Sequence, residues 1–169
     1  MAQGKARYAH EDGTWFLQLS GDLRHGMSPA MNALLDRAFA EPQTSQFLVD
    51  LSAAETIDST CLGTLARIAN WTREHAAPRP VIVSPNEDIT ETLLAVCFDR
   101  LFELRRDAQL DAERLGDLPA QDADAAAMST LILEAHRRLC AIDAANLAVF
   151  KDVVDALERE LDTGKPASR

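Results

Sequence analysis

Two short apolar runs, QFLVDLS at 46–52 and PVIVS at 80–84, limit most sharply what this chain can fold into. A strand with one wet face alternates apolar and polar residues, whereas a continuous apolar run must be covered on both faces. Helical periodicity follows each run. Residues 59–75 would turn Leu62, Leu65, Ala66 and Ala69 to one side. Ser84-Pro85-Asn86-Glu87 reads as a capping box around a proline start, leading to a helix at 89–97. Strands alternating with helices predict an α/β domain.

The N-terminal stretch agrees. Residues 5–11 form a strand candidate, Asp12-Gly13 is a hairpin turn because both positions tolerate positive φ, and TWFLQLSG at 14–21 is the partner strand. Beyond the loop DLRHGM, Ser28 as N-cap and Pro29 as first helical residue predict a helix to Ala40. Its inner face would carry Met31, Leu34, Leu35, Ala38 and Phe39, with Pro42 ending it. RLFELRR at 100–106 is the expected last strand, and DAQLDAERLG at 107–116 a short closing helix.

The composition then changes. GDLPAQDAD at 116–124 is linker-like, and 123–162 contains neither Gly nor Pro. Met128, Ile132, Ala135, Leu139, Ile142, Val149 and Val153 follow a near-heptad spacing with Asn146 in the same register, which predicts one long helix or, with Asp143 as a second cap, a helical hairpin. The expected organisation is a domain at 1–116, a linker at 117–122, a helical extension at 123–162 and a tail at 163–169. The apolar stripe must pack on the domain, on a second copy or on another protein, because large apolar patches are rarely left in water.

Seventeen Lys and Arg against 27 Asp and Glu give a formal charge of −10. Such a surface repels nucleic-acid phosphates and anionic lipids, so direct binding of either is not expected. Three scattered cysteines imply no disulfide framework, and a start without an apolar signal core implies a cytoplasmic protein. No His, Cys or carboxylate cluster has metal-ligand spacing, and no Gly-rich phosphate loop or GxSxG elbow occurs, so neither metal nor cofactor is expected. Asp22, Asp50, Asp58 and Ser59 could meet in space, but no histidine lies near the strand ends to serve as their base, and hydrolase chemistry is a remote reading.

TIDSTCLG at 56–63 stands where a strand becomes a helix. Ser59 would fall in the first helical turn beside unpaired backbone N–H groups, a place that tolerates an anion. Phosphoryl transfer there would add about −1.5 to −2 charges without unfolding the helix. Equally, Asp58 could be an ordinary N-cap and Ser59 an ordinary first-turn residue. Local physics leaves both open.

The wider stretch LVDLSAAETIDSTCLGTLARI resembles the STAS domain, the fold of anti-sigma factor antagonists and of the cytoplasmic tails of sulfate transporters. The family pattern is a strand ending Asp-Leu-Ser, a short loop, then Asp-Ser-Ser/Thr-Gly-Leu-Gly entering a helix. LSGDL at 19–23 and PVIVSPNEDITETLLAVCFDRLFEL at 80–104 extend the similarity over about 5–114, with the helical extension outside it. The resemblance implies a small mixed sheet flanked by helices and a binding module that is not an enzyme. It matches Ser59 to the serine phosphorylated by a partner that is both kinase and anti-sigma factor. Asp22, Asp50, Asp58, Thr60, Leu62 and Gly63 would belong to the partner surface. Unphosphorylated protein would bind that partner, phosphorylation would break the complex, and a serine phosphatase would restore it.

Two departures stand out. Cys61 replaces the usual Gly, which would alter a close partner contact, and Arg24 replaces a frequent Asp, where it could pair with Asp22, Asp58 or a phosphate on Ser59. Other readings are a scaffolding STAS subunit of a signalling or transporter assembly, and a homodimer formed through the extension.

Overall fold

The computed structural model describes residues 2–107 and 114–164. Strands β1 (Lys5–Glu11) and β2 (Thr14–Leu23) form the expected hairpin, with φ of 51° at Asp12 and 82° at Gly13. Both turn residues are left-handed, which matches the twist of the flanking strands. β2 alternates as a half-covered strand must, with Trp15, Leu17, Leu19 and Leu23 buried and Phe16, Gln18, Ser20 and Asp22 partly exposed.

Helix α1 (Ser28–Ala40) buries Met31, Leu34, Leu35 and Ala38. Ser28 is not its N-cap. A 3-10 turn at His25–Met27 runs directly into the helix, so Ser28 becomes its first residue and makes no cap bond to it. β3 (Gln46–Ile57) is longer than the sequence implied, because β2 continues to Leu23 and pairs it in parallel as far as Leu23 with Ile57, across two register shifts. α2 (Ser59–Glu74), β4 (Val81–Val83) and α3 (Glu87–Ala95) follow. The cap of α3 is Asn86, whose side chain accepts from the Asp88 N–H. Ser84, the expected cap, instead bonds Thr90 at 2.8 Å.

β5 (Glu103–Arg105) and β6 (Gly116–Asp117) complete a sheet of order β5-β4-β3-β2-β1-β6. The β2, β3, β4 and β5 neighbours are parallel, and β1 pairs antiparallel with both β2 and β6. β6 was not foreseen: two residues are too short for a pattern. The expected closing helix at 107–116 falls largely outside the described residues. The fold is therefore a mixed six-stranded sheet flanked by helices, with a C-terminal helical extension.

That extension is a hairpin of α4 (Ala125–Ile142) and α5 (Ala144–Asp162), broken at Asp143, whose carboxylate caps α5 through the Ala145 N–H. α4 lies on α2 and buries Leu133, Ala135, His136 and Leu139. α2 is thus covered on both sides, which explains burial of Thr60 through Ala66 without a break. The break at Asp143 also resets the register. Val149 and Val153, expected on the inner stripe, are 70% and 42% exposed, while Phe150 packs inward. Asn146 is buried and donates to the carbonyls of Val96 at 3.0 Å and Leu139 at 2.9 Å, tying the start of α5 to the ends of α3 and α4. Among the described residues no helix is long and apolar enough to cross a membrane.

Replacing Asn146 with Ala strands both carbonyls in a dry site and is expected to cost about 1–3 kcal/mol. Urea unfolding would show this as a lower midpoint at unchanged slope.

Candidate functional site around Ser59

α2 begins where β2 and β3 end together. The Asp58 N–H donates to the Leu23 carbonyl at 3.0 Å, fastening the helix start to the last residue of β2. Asp58 is the N-cap: Oδ1 accepts from the Cys61 N–H at 2.9 Å, and Oδ2 accepts from the His25 N–H at 2.7 Å. One carboxylate therefore satisfies a helix-end donor and clamps the 24–27 loop.

Cys61 completes the clamp. It is fully buried, and its Sγ lies 3.2 Å from the Arg24 carbonyl, to which the thiol donates. Burial, with Asp58 beside it, pushes the thiol far above its usual range, so no reactive thiolate forms at neutral pH. The residue faces the protein's own loop and not solvent. Its departure from glycine is thereby explained as a loop anchor, and in this conformation it cannot alter a partner contact directly.

Arg24 pairs with Asp22, as the sequence allowed. Asp22 also accepts from the Thr56 hydroxyl across the β2–β3 ladder. The Thr56 and Arg24 hydrogen bonds hold its carboxyl below the usual carboxylate range. Asp22, Arg24, His25, Asp58 and Ser59 form one partly exposed rim. Thr60, Leu62 and Gly63, also expected at the partner surface, are buried beneath it. Asp50 is not brought to the rim. It lies six residues back along β3 from Thr56, roughly 20 Å of extended chain, and is bonded to the Ser52 N–H and hydroxyl and to Gln18.

The residue that sequence reasoning missed is His136. Its Nε2 lies 2.9 Å from Ser59 Oγ, and its Nδ1 lies 2.7 Å from the Ile132 carbonyl. A carbonyl can only accept, so the neutral ring carries its hydrogen on Nδ1, and Ser59 donates to the bare Nε2. The sequence reading found no histidine near the strand ends; the structure places His25 just past β2, its Nδ1 3.8 Å from Asp58 Oδ2, and delivers His136 from 77 residues away, on α4. A signal existed: His136 is a polar residue on the apolar face made by Leu133, Ala135 and Leu139.

A Ser–His hydrogen bond is the geometry by which imidazole activates a hydroxyl nucleophile. An open cleft of about 660 Å³ lies beside the rim, bordered by Gly4, Lys5, Asp22, Arg24, Met27 and Leu118, and neither Ser59 nor His136 lines it. Among the described residues no metal-binding cluster occurs.

Gly63 sets how closely α4 approaches. A Cβ there would stand 2.6 Å from the Ala135 Cα and closer still to the Ala135 carbonyl, all backbone that cannot turn aside.

The family profile of the STAS domain matches residues 5–110, and the chain belongs to that family. Among solved structures, the anti-sigma factor antagonist SpoIIAA in its unphosphorylated form is similar, with 15% identity, a TM-score of 0.52, and coverage of 62% of this chain and 89% of that one. A candidate anti-sigma factor antagonist from Thermotoga maritima is similar too, with 22% identity, a TM-score of 0.52, and coverage of 63% and 87%. At these identities the likeness is one of fold. No curated protein sequence matches. The α4–α5 hairpin lies outside the family match.

Asp58→Ala removes the cap and the loop clamp together and is expected to lower stability by about 1–2 kcal/mol, with Asp58→Asn keeping most of it. Thermal unfolding of the two variants beside the wild type checks this.

Proposed function

We propose that this protein is an anti-sigma factor antagonist controlled by phosphorylation of Ser59. Its partner is an anti-sigma factor that doubles as a serine kinase, and a serine phosphatase reverses the modification. The observation that supports this best is Ser59 itself. It is a partly exposed residue in the first turn of α2, on a backbone fixed by the Asp58 cap, within a STAS domain. Family membership and the antagonist folds it resembles lend the role; the rim lends the surface.

In this reading the unphosphorylated rim of Asp22, Arg24, Asp58 and Ser59 receives the partner, with Thr60, Cys61, Leu62 and Gly63 supporting it from below. A phosphate on Ser59 sets a dianion beside Asp58 and breaks the complex by repulsion and desolvation. The protein acts by binding, in the cytoplasm, and turns over no substrate. Its charge of −10 favours a partner with a basic or mixed-charge face.

Affinity capture tests this with wild type, Ser59→Ala and Ser59→Asp side by side. Wild type and Ser59→Ala should retain a kinase-like partner, and Ser59→Asp should retain at least about tenfold less, since a charge desolvated at an interface costs more than 1.4 kcal/mol. Incubation with that partner and a nucleoside triphosphate should add one phosphate to the wild type and none to Ser59→Ala. A phosphate found by mass spectrometry at another residue would sink the assignment.

One observation favours a second reading, in which the chain is an assembly subunit or a homodimer. Leu147, Val149 and Val153 stand exposed on α5. Light scattering would then report an oligomer that Val149→Lys dissolves; a monomer in both would dismiss it.

A further inference from the structure

We propose that the chain reads its own modification: a phosphate on Ser59 releases the α4–α5 hairpin from α2. The proposal rests on Ser59 being the modified residue and adds what the modification does inside this molecule. Phosphoryl transfer from a nucleoside triphosphate breaks the bond between the γ-phosphorus and its bridging oxygen. It forms the Oγ–P bond, leaves the diphosphate, and expels the Ser59 hydroxyl proton.

That proton is the one that joins α2 to His136. In the docked state Nε2 of His136 accepts it, while the Nδ1 hydrogen is committed to the Ile132 carbonyl. After transfer a bare ester oxygen faces a bare nitrogen, and two acceptors cannot bond. The ring has little freedom to adjust. It is 5% exposed, with the Phe150 ring packed edge-on at 5.6 Å between centroids.

Compensation for the new charge is partial: on the rim His25 lies beside Asp58, its Nδ1 3.8 Å from Oδ2. Asp58 is adjacent, and the Cys61 N–H that would welcome an anion at this helix end is already donated to it. The nearby guanidinium of Arg24 is paired with Asp22, and further along α2 Arg67 is bonded to Asn32 and Asp36. The docked state could keep the phosphate against His136 only by protonating a buried imidazole and partly desolvating a dianion. Undocking avoids both, since each group then returns to water.

The interface is suited to all-or-none release. Gly63 and Ala135 meet backbone to backbone, so α4 cannot shift by a fraction of an ångström and keep its contacts. Once α4 lifts, Leu133 and Leu139 lose their cover together with the outer face of α2. A composite surface of rim and docked hairpin exists only in the unphosphorylated chain, and a partner that reads it loses both charge match and shape on phosphorylation.

The test installs phosphoserine at position 59 during translation of the full chain and follows amide hydrogen exchange by mass spectrometry. Gly63→Ala in the unmodified chain is the reference for release: it strengthens α2 as a helix but drives a methyl into the α4 backbone. Both proteins should exchange at least about tenfold faster than wild type across 125–162, with β2 and β3 unchanged. His136→Ala should show part of the same increase, and phosphoserine should add little to it. Wild-type or stronger protection of 125–162 in the phosphoserine chain, while Gly63→Ala loses it, would overturn the proposal, because the docked hairpin would then tolerate the phosphate. Unchanged exchange in both would overturn it too, because the hairpin would not be a releasable element. Since the phosphate is installed without a kinase, these outcomes are independent of whether any kinase recognises Ser59.

Discussion

Gly63 allows the backbone of α4 to lie directly on α2, and the geometry of the Ser59 end depends on that approach. Any side chain at 63 would meet the Ala135 main chain, so this single missing Cβ sets the distance between the two helices. The same approach carries the next residue, His136, to within hydrogen-bond reach of Ser59. It also buries α2 on the side away from the sheet, which is why the first turns of this helix have almost no exposed residue besides Ser59. A STAS domain without this hairpin would present that face to solvent.

A second constraint acts on the opposite side of the helix start. Asp58 and Cys61 both bond the 24–25 backbone, one by accepting and one by donating. Four neighbouring residues thus do different work. Asp58 fixes the loop, Cys61 fills and anchors beneath it, Thr60 is buried, and Ser59, partly exposed, carries the hydroxyl bonded to His136. Under the proposed modification of Ser59, this division would spare the helix, because the cap that holds it is a different residue.

Much of this was legible in the sequence, and the failures have physical causes. The β1–β2 turn, the buried runs of β3 and β4 and the Asp58 cap each depend on residues within a few positions of one another, so local pattern found them, while the Asp143 break was only one of two alternatives beside a single long helix. Ser28 and Ser84 were misread as caps because a cap is defined by the backbone that precedes it: a 3-10 turn displaced the first, and Asn86 stood nearer to its helix than the second. Cys61 was expected from its family position to alter a close partner contact, whereas it is buried under the loop that it anchors. His136 was beyond reach. Its pairing with Ser59 depends on how two helices separated by a linker dock, and no local periodicity encodes that distance.

If Ser59 is the proposed switch, the hairpin changes its energetics in a way the domain alone would not. Coupling between two events is reciprocal in free energy. If a phosphate on Ser59 disfavours the docked hairpin, then whatever tightens docking must disfavour the phosphate by the same factor. Asn146 and the Arg100–Asp143 pair, which hold the hairpin's turn to α3 and its following loop, are therefore part of the set point of Ser59 although they do not touch it. A ligand or partner that grips the exposed Leu147, Val149 and Val153 side of α5 would bias Ser59 from a distance if it prefers one hairpin position. On the proposed modification of Ser59, residues 123–162, outside the family match, would gain a role that packing alone does not require: they would set how strongly this STAS domain resists it.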